Sequence, residues 1–295
     1  MIRLLTPADI PAAMRLKEAA GWNQTEEDWA NLLAAAPEGC FGLDCDGALA
    51  ATAAGVCFPQ AQSLPDGRGS VWLRPRRAAR RGSSLAWIGM VLTAPEYRGR
   101  GFARGLTEHT LAFLARRGAA WIKLDATDMG RPLYLKLGFE DEGPVERWCL
   151  PGVADPRPVE LPRCRVEDFA ELDAAAFGAD RLEILRRVAV ESACVPGEGY
   201  AMGRPGTKAA YFGPCVCRSP KIARTLVEWF LARHPGKSVC WDLLPGNAEA
   251  LRLAGELGFQ PRRKLVRMAL RGTPGAAPFR HDDAAVFAIA GFEYG

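Results

Sequence analysis

The chain repeats itself at a fixed spacing of 120 residues, and this repeat limits its architecture more than any other feature. Residues 98–139 align without a gap to residues 218–259, with 13 identities over 42 positions. Shared helix and strand composition accounts for the matching leucines and alanines. It does not account for Trp121 recurring as Trp241, or for Leu137-Gly138-Phe139 recurring as Leu257-Gly258-Phe259. The chain therefore reads as two copies of one fold. Its 295 residues agree, at roughly 150 residues per domain.

Composition narrows the class. Apolar residues make up 48% and charged residues 24%, an ordinary globular balance. The net charge of +4 is concentrated between Pro59 and Ser83, where Arg68, Arg74, Arg76, Arg77, Arg80 and Arg81 face a single acid, Asp66. A nucleic-acid partner would need basic residues spread over a folded face, so this run reads as a solvated insertion. No stretch approaches the ~20 apolar residues of a membrane span. Arg3, Asp9, Arg15, Lys17 and Glu18 leave no room for a signal-peptide core. The nine scattered cysteines read as reduced thiols of a cytoplasmic protein. Cys215 and Cys217 have no second cysteine or histidine pair at zinc-ligand spacing, so no metal is expected.

Apolar periodicity gives the element order. A short strand at 1–6 precedes helices at 10–20 and 29–35. Strands follow at 40–44 and 48–58, joined by an Asp46-Gly47 hairpin turn. A strand at 85–93, a helix at 101–117, a strand at 121–125, a helix at 129–137 and two short strands within 138–150 complete the first copy. This is an α/β (α+β) pattern, a mixed and mostly antiparallel sheet flanked by helices. Pro151, Pro156, Pro158 and Pro162 mark 151–162 as a linker. The expected organisation is a first domain over 1–150 able to bind its ligand alone, a second over 163–272, and a tail over 273–295 docked on the body.

The chemistry-bearing segment runs from Val91 to Leu106. It is a strand, a turn containing Gly99 and Gly101, and a helix start. Glycine lets the backbone approach a ligand, and free N–H groups at a helix N-terminus attract phosphate. A P-loop would need Lys-Ser/Thr after its last glycine, where Phe102-Ala103 stands. A Rossmann turn would place its glycines directly after the strand, but Ala94 to Arg98 intervene. The third reading is an acyl-CoA site. Arg98-x-x-Gly101-x-Ala103 resembles the Arg/Gln-x-x-Gly-x-Gly/Ala signature of the GNAT superfamily of N-acetyltransferases. Leu133-Tyr134 followed by Gly138-Phe139 resembles the helix and strand opening that end the family's catalytic core. Gly21-Trp22-Asn23-Gln24-Thr25 and the tail from Ala288 to Glu293 resemble a two-domain bacterial branch.

The resemblance implies tandem GNAT folds and an acetyl-CoA-dependent N-acetyltransferase. The acceptor would be a primary amine on a small molecule. It implies that main-chain groups of Val91, Leu92 and Thr93 pair with the pantetheine arm, and that Arg98, Gly99, Arg100, Gly101, Phe102 and Ala103 hold the pyrophosphate. Tyr134 would protonate the departing thiolate. Taken alone, a tyrosine between two leucines reads as a core aromatic, and only the glycine loop in register with it favours the acid role. Thr127 replaces the family's usual asparagine, and the strand at 85–93 carries no carboxylate. Asp125 is therefore the candidate base, or else a helix cap. Trp22, Asn23 and Glu26 are candidates for acceptor binding, Glu26 being equally a solvated first-turn acid. In the second copy Ser219, Pro220 and Lys221 replace the glycine loop, and Ala254 replaces Tyr134. That copy is expected to bind no CoA and to shape the acceptor pocket. A homodimer is compatible with this reading. The competing functions are a non-catalytic acyl-CoA sensor or scaffold and a protein or peptide N-acetyltransferase.

Overall fold

A computed structural model describes residues 1–60 and 85–295. Apart from Pro59 and Gln60, the arginine-rich run lies outside the described residues. The first half contains β1 (Ile2–Leu4), α1 (Ile10–Ala19), α2 (Glu26–Ala35), β2 (Cys40–Cys45), β3 (Ala48–Phe58), β4 (Leu85–Thr93), α3 (Phe102–Arg116), β5 (Trp121–Ala126), α4 (Arg131–Lys136) and β6 (Glu140–Leu150). The second contains α5 (Ala170–Phe177), α6 (Leu182–Val188), β7 (Glu191–Val195), β8 (Gly199–Arg204), β9 (Ala210–Cys217), α7 (Pro220–Arg233), β10 (Val239–Leu243), α8 (Ala248–Glu256) and β11 (Gln260–Arg271), and the tail adds β12 (Val286–Ala288).

Local chemistry sets several boundaries. Thr25 Oγ1 accepts from the Asp28 amide at 3.3 Å, and the Asp28 carboxylate accepts from the Thr25 amide at 2.8 Å, a capping box that starts α2. Asp46 and Gly47 have φ of 53° and 77°, the two positive values that a two-residue hairpin turn requires. Residues 140–150 form one strand rather than two. β10 pairs with only Glu146–Leu150 of β6, so Pro144 sits where one edge of β6 carries no ladder, a place in a sheet that tolerates proline.

All strands join one sheet in the order β1-β2-β3-β4-β5-β11-β6-β10-β9-β8-β7, with β12 added to β9. The sheet does not respect the boundary at residue 150. β11 of the second half inserts between β5 and β6 of the first, and β6 in turn pairs with β10 of the second. The halves thus exchange their last strands. At the centre Val145 faces Leu265, which lies 120 residues later, and Glu146 faces Lys264 while Arg147 faces Arg263. Only the central pair joins a position to its own repeat, and the pairs on either side exchange with one another (Glu146–Lys264 with Pro144–Val266), so a pseudo-twofold axis passes through the Val145–Leu265 pair.

Buried charge locks the exchange. Both nitrogens of the Arg147 fork reach Asp242 at 2.6 Å, and the equivalent Arg267 holds Asp125 at 2.9 and 3.1 Å. Each dyad-related arginine therefore binds an aspartate of the opposite half in the bidentate geometry that guanidinium favours. The cysteines correct an expectation. Cys149–Cys240 and Cys164–Cys194 are disulfides, and Cys40, Cys45, Cys215 and Cys217 are free thiols. The exchanged register brings Cys149 directly opposite Cys240 across β6 and β10, a meeting of residues 91 apart in sequence.

Among the described residues, no helix is long and apolar enough to cross a membrane.

Candidate active site

β4 and β5 are parallel neighbours only from Leu85 to Trp87, opposite Trp121 to Lys123. Beyond that point they diverge, and among the described residues no strand pairs with that edge of β4. The main-chain groups that point away from β3 along this stretch are thus open to strand-like pairing with an extended ligand. Met90 has φ of 54°, and the ladder to β3 shifts register beside it. The Thr52 hydroxyl donates to the Met90 carbonyl at 2.8 Å and holds this bulge.

The strand leads into the glycine turn. Gly99 and Gly101 have φ of 76° and 80°, and a Cβ on either would meet nothing within 4 Å. The backbone conformation, rather than crowding by protein, requires glycine here. Gly101 is the N-cap of the 15-residue α3 and offers no side chain to cap it. The first-turn amides of α3 therefore face the cleft with no intrahelical partner, at the positive end of the helix dipole.

The cleft widens into a cavity of about 880 Å³. One end of it is lined by β4, by Arg98, Gly99, Gly101, Phe102 and Ala103, and by Tyr134. Arg104 also reaches it, while ion-paired to Glu108 at 2.9 Å. Arg100 does not line it. Its guanidinium lies over the rings of Tyr97 and Phe102, with Asp46 at 3.9 Å. Tyr134 packs edge-on against Phe139 with 5.8 Å between ring centroids, and its hydroxyl has no hydrogen-bond partner among the described residues. Burial pushes that hydroxyl well above the usual phenol range. Thr127 accepts from the Gly130 amide at 3.1 Å and closes the turn into α4. Asn247 caps α8 in the same way at 3.1 Å.

The opposite end is built from three parts of the chain. Trp22 and Gln24 come from the first half, Arg263 and Leu265 from β11, and Phe292 and Glu293 from the tail. Trp87 Nε1 donates to the Phe292 carbonyl at 2.9 Å, and a Cβ on Gly89 would come within 3.0 Å of the Glu293 backbone. The tail therefore lies directly on β4. Glu293 accepts from Arg204 at 2.7 Å and from Gln24 at 2.8 Å, and Arg204 also holds Asp28 at 3.0 Å. Burial raises the Glu293 carboxyl above the usual range, and the Arg204 guanidinium opposes that shift.

Several expected site residues have other tasks. The Asp125 carboxylate lines the cavity but is buried, and both its oxygens accept from Arg267, so it is held in an ion pair rather than left free. The Asn23 amide instead ties down the 207–209 loop, accepting from Lys208 and Ala209 at 2.7 and 3.1 Å and donating to the Ala209 carbonyl at 3.0 Å. Glu26 is exposed on the first turn of α2, away from the cavity. Gln24, Arg263 and Glu293 were missed as single residues. The segments around Trp22 and Phe292 contain Gln24 and Glu293 and were the sequence signal for those two; Arg263, in β11, had none.

The second copy has the same splay, and it is filled. β9 and β10 pair only from Ala210 to Phe212, opposite Val239 to Trp241. Into the gap beyond comes β12, pairing with β9 at Val216 and Cys215, while the Ile289 amide donates to the Asp242 carbonyl at 3.0 Å. Trp241 Nε1 donates to the Phe287 carbonyl at 2.7 Å, and the Asn247 amide donates to the Ala284 and Val286 carbonyls at 3.0 Å each. Asn247, which the first copy lacks, is thus a clamp on the tail.

Comparison with known proteins agrees with this geometry. Residues 10–139 match the acetyltransferase (GNAT) family model, and residues 169–287 match a second acetyltransferase (GNAT) domain model. The uncharacterized N-acetyltransferase YitH of Bacillus subtilis is 28% identical over 166 residues, a match spanning 52% of this chain and 58% of that protein. A crystal structure from Pyrococcus horikoshii, itself only provisionally assigned as an acetyltransferase, is 20% identical with a TM-score of 0.80, covering 100% of this chain and 95% of that one. A tandem GNAT protein of the clavulanic acid biosynthesis pathway is 16% identical with a TM-score of 0.60, covering 93% and 99%. With the internal repeat, the glycine turn at the head of α3 and the splayed strands, these matches identify the chain as a member of the GNAT acetyltransferases that carries two GNAT domains.

Proposed function

We propose that the first copy binds acetyl-CoA and transfers its acetyl group directly to the primary amine of a small acceptor, within a ternary complex. The observation that carries this reading is the asymmetry of the two clefts. The first is open and has both the glycine turn and Tyr134, whereas the second is occupied by the protein's own tail. GNAT enzymes use acetyl-CoA as acyl donor, and the residues of the open cleft suit it. The exposed edge of β4 at Val91, Leu92 and Thr93 matches the amides of a pantetheine arm. The uncapped α3 N-terminus, with Arg98 beside it, matches a pyrophosphate.

The bound thioester supplies an electrophilic carbonyl carbon. The bulge at Met90 interrupts the ladder and frees main-chain N–H groups of the kind that stabilise an oxyanion. Tyr134 protonates the departing thiolate, and its raised pKa keeps that proton in place at neutral pH. Asp128 lines the cavity with no ion-pair partner among the described residues, so it, rather than the ion-paired Asp125, takes the ammonium proton. Three segments enclose the acceptor end, which supports a small acceptor over an open peptide groove.

The test is thiol release from acetyl-CoA with a panel of small amines, with products identified by mass. Acetylated product that depends on Tyr134 is expected. Tight acetyl-CoA binding with no transfer to any amine would make the protein a sensor and refute the reading.

A further inference from the structure

Of the four arginines around the acceptor end, three are held by carboxylates and one is not. Arg147 is neutralised by Asp242, Arg267 by Asp125, and Arg204 by Asp28 and Glu293. Arg263 is half-buried on the cavity wall and has neither an ion pair nor a side-chain hydrogen bond among the described residues. Its guanidinium lies over the Trp22 ring at 5.5 Å. It also stands directly opposite Arg147 across β6 and β11. Like charges facing each other on adjacent strands are unfavourable, and so is an unpaired cation taken partly out of water. Burial and Arg147 together lower the Arg263 pKa. The fold has no need of this arginine, because the position related to it by the pseudo-twofold, 120 residues earlier, is Gly143.

We infer that Arg263 is the anion-binding residue of the acceptor site, and that the acceptor is a small amino acid carrying a carboxylate on the same molecule as the amine to be acetylated. This rests on the acetyltransferase reading and adds the substrate class to it. A planar guanidinium held flat against an indole presents its N–H fork to a carboxylate in the two-point geometry the pair favours. The amine end then lies toward Asp128 and Tyr134. An expectation of a polyamine acceptor would call for an acidic cavity. Here two of the three lining carboxylates, Asp125 and Glu293, are already bound to arginines.

The experiment uses the full chain saturated with acetyl-CoA. Acceptors are offered as matched pairs: α- and ω-amino acids from two to six carbons, each beside its carboxamide and its decarboxylated amine. Transfer is read as thiol release. In parallel, calorimetry on the CoA-saturated protein measures binding of the corresponding N-acetyl amino acids and their amides. At least one carboxylate is expected to be preferred over its amide. Arg263→Ala should weaken that carboxylate about ten- to a hundredfold, the usual cost of removing one charged hydrogen-bond partner, while leaving its amide unaffected. Arg263→Lys should restore part of the loss. If amides and simple amines serve as well as acids, or if no carboxylate in either assay depends on Arg263, the inference is wrong while the acetyltransferase reading stands. If acetyl-CoA itself fails to bind, the underlying reading has failed instead.

Discussion

At the scale of single residues, the site separates groups that act from groups that hold. Tyr134 has a buried ring and an unpartnered hydroxyl, so its hydroxyl is available to chemistry. Tyr134→Phe should lower turnover by about 10²–10⁴ while leaving acetyl-CoA affinity nearly unchanged, because the interaction arises only as the thiolate leaves. Steady-state kinetics beside calorimetry check this split. The pKa shift has a sign that can be tested. A raised phenol stays protonated as pH climbs, so Tyr134 causes no alkaline loss of turnover below about pH 10. Asp125 is the opposite case. Asp125→Asn leaves the Arg267 guanidinium without its counter-charge and should destabilise the protein by about 3–5 kcal/mol in denaturant unfolding. A variant of undiminished stability would return Asp125 to the list of groups free to act.

At the scale of elements, the glycine turn and the tail decide what each copy can bind. Gly101→Ala forces a Cβ onto a φ of 80°, at a cost on the order of 1–2 kcal/mol unless the turn moves. Acetyl-CoA affinity should fall at least tenfold, with the melting temperature changed by only a few degrees; titration calorimetry and a thermal melt measure the two effects. Much of this was legible in the sequence. Gly99 and Gly101 after a strand and before a helix announce an anion site, and Ser219-Pro220-Lys221 announce its loss. The strand exchange was not legible. β6 and β11 are repeats of each other, so pairing within a half or across halves buries the same faces, and periodicity cannot tell them apart. Nor could sequence pair Gln24 with Glu293, 269 residues away, or show that Asn247 was retained to clamp the tail.

At the scale of the whole molecule, the duplication has made one sheet with two unequal clefts. The exchange removes the independence expected of the first domain. A chain ending near Val153 would leave β5 with a bare edge and β6 without either of its neighbours, and exposed edges of that kind promote association. Such a fragment should be aggregated or unfolded by size-exclusion chromatography and circular dichroism. A monomeric fragment that binds CoA would mean β6 can return to β5. The tail serves both halves, sealing the second cleft with β12 and completing the first with Phe292 and Glu293. On the function proposed above, two copies of one fold yield a single donor site. The most direct measurement is the stoichiometry of acetyl-CoA binding to the intact chain by titration calorimetry. The account predicts one molecule per chain, lost on substitution of Gly101 and retained on substitution of Lys221. Two molecules per chain, or binding that survives at Gly101 and fails at Lys221, would contradict it.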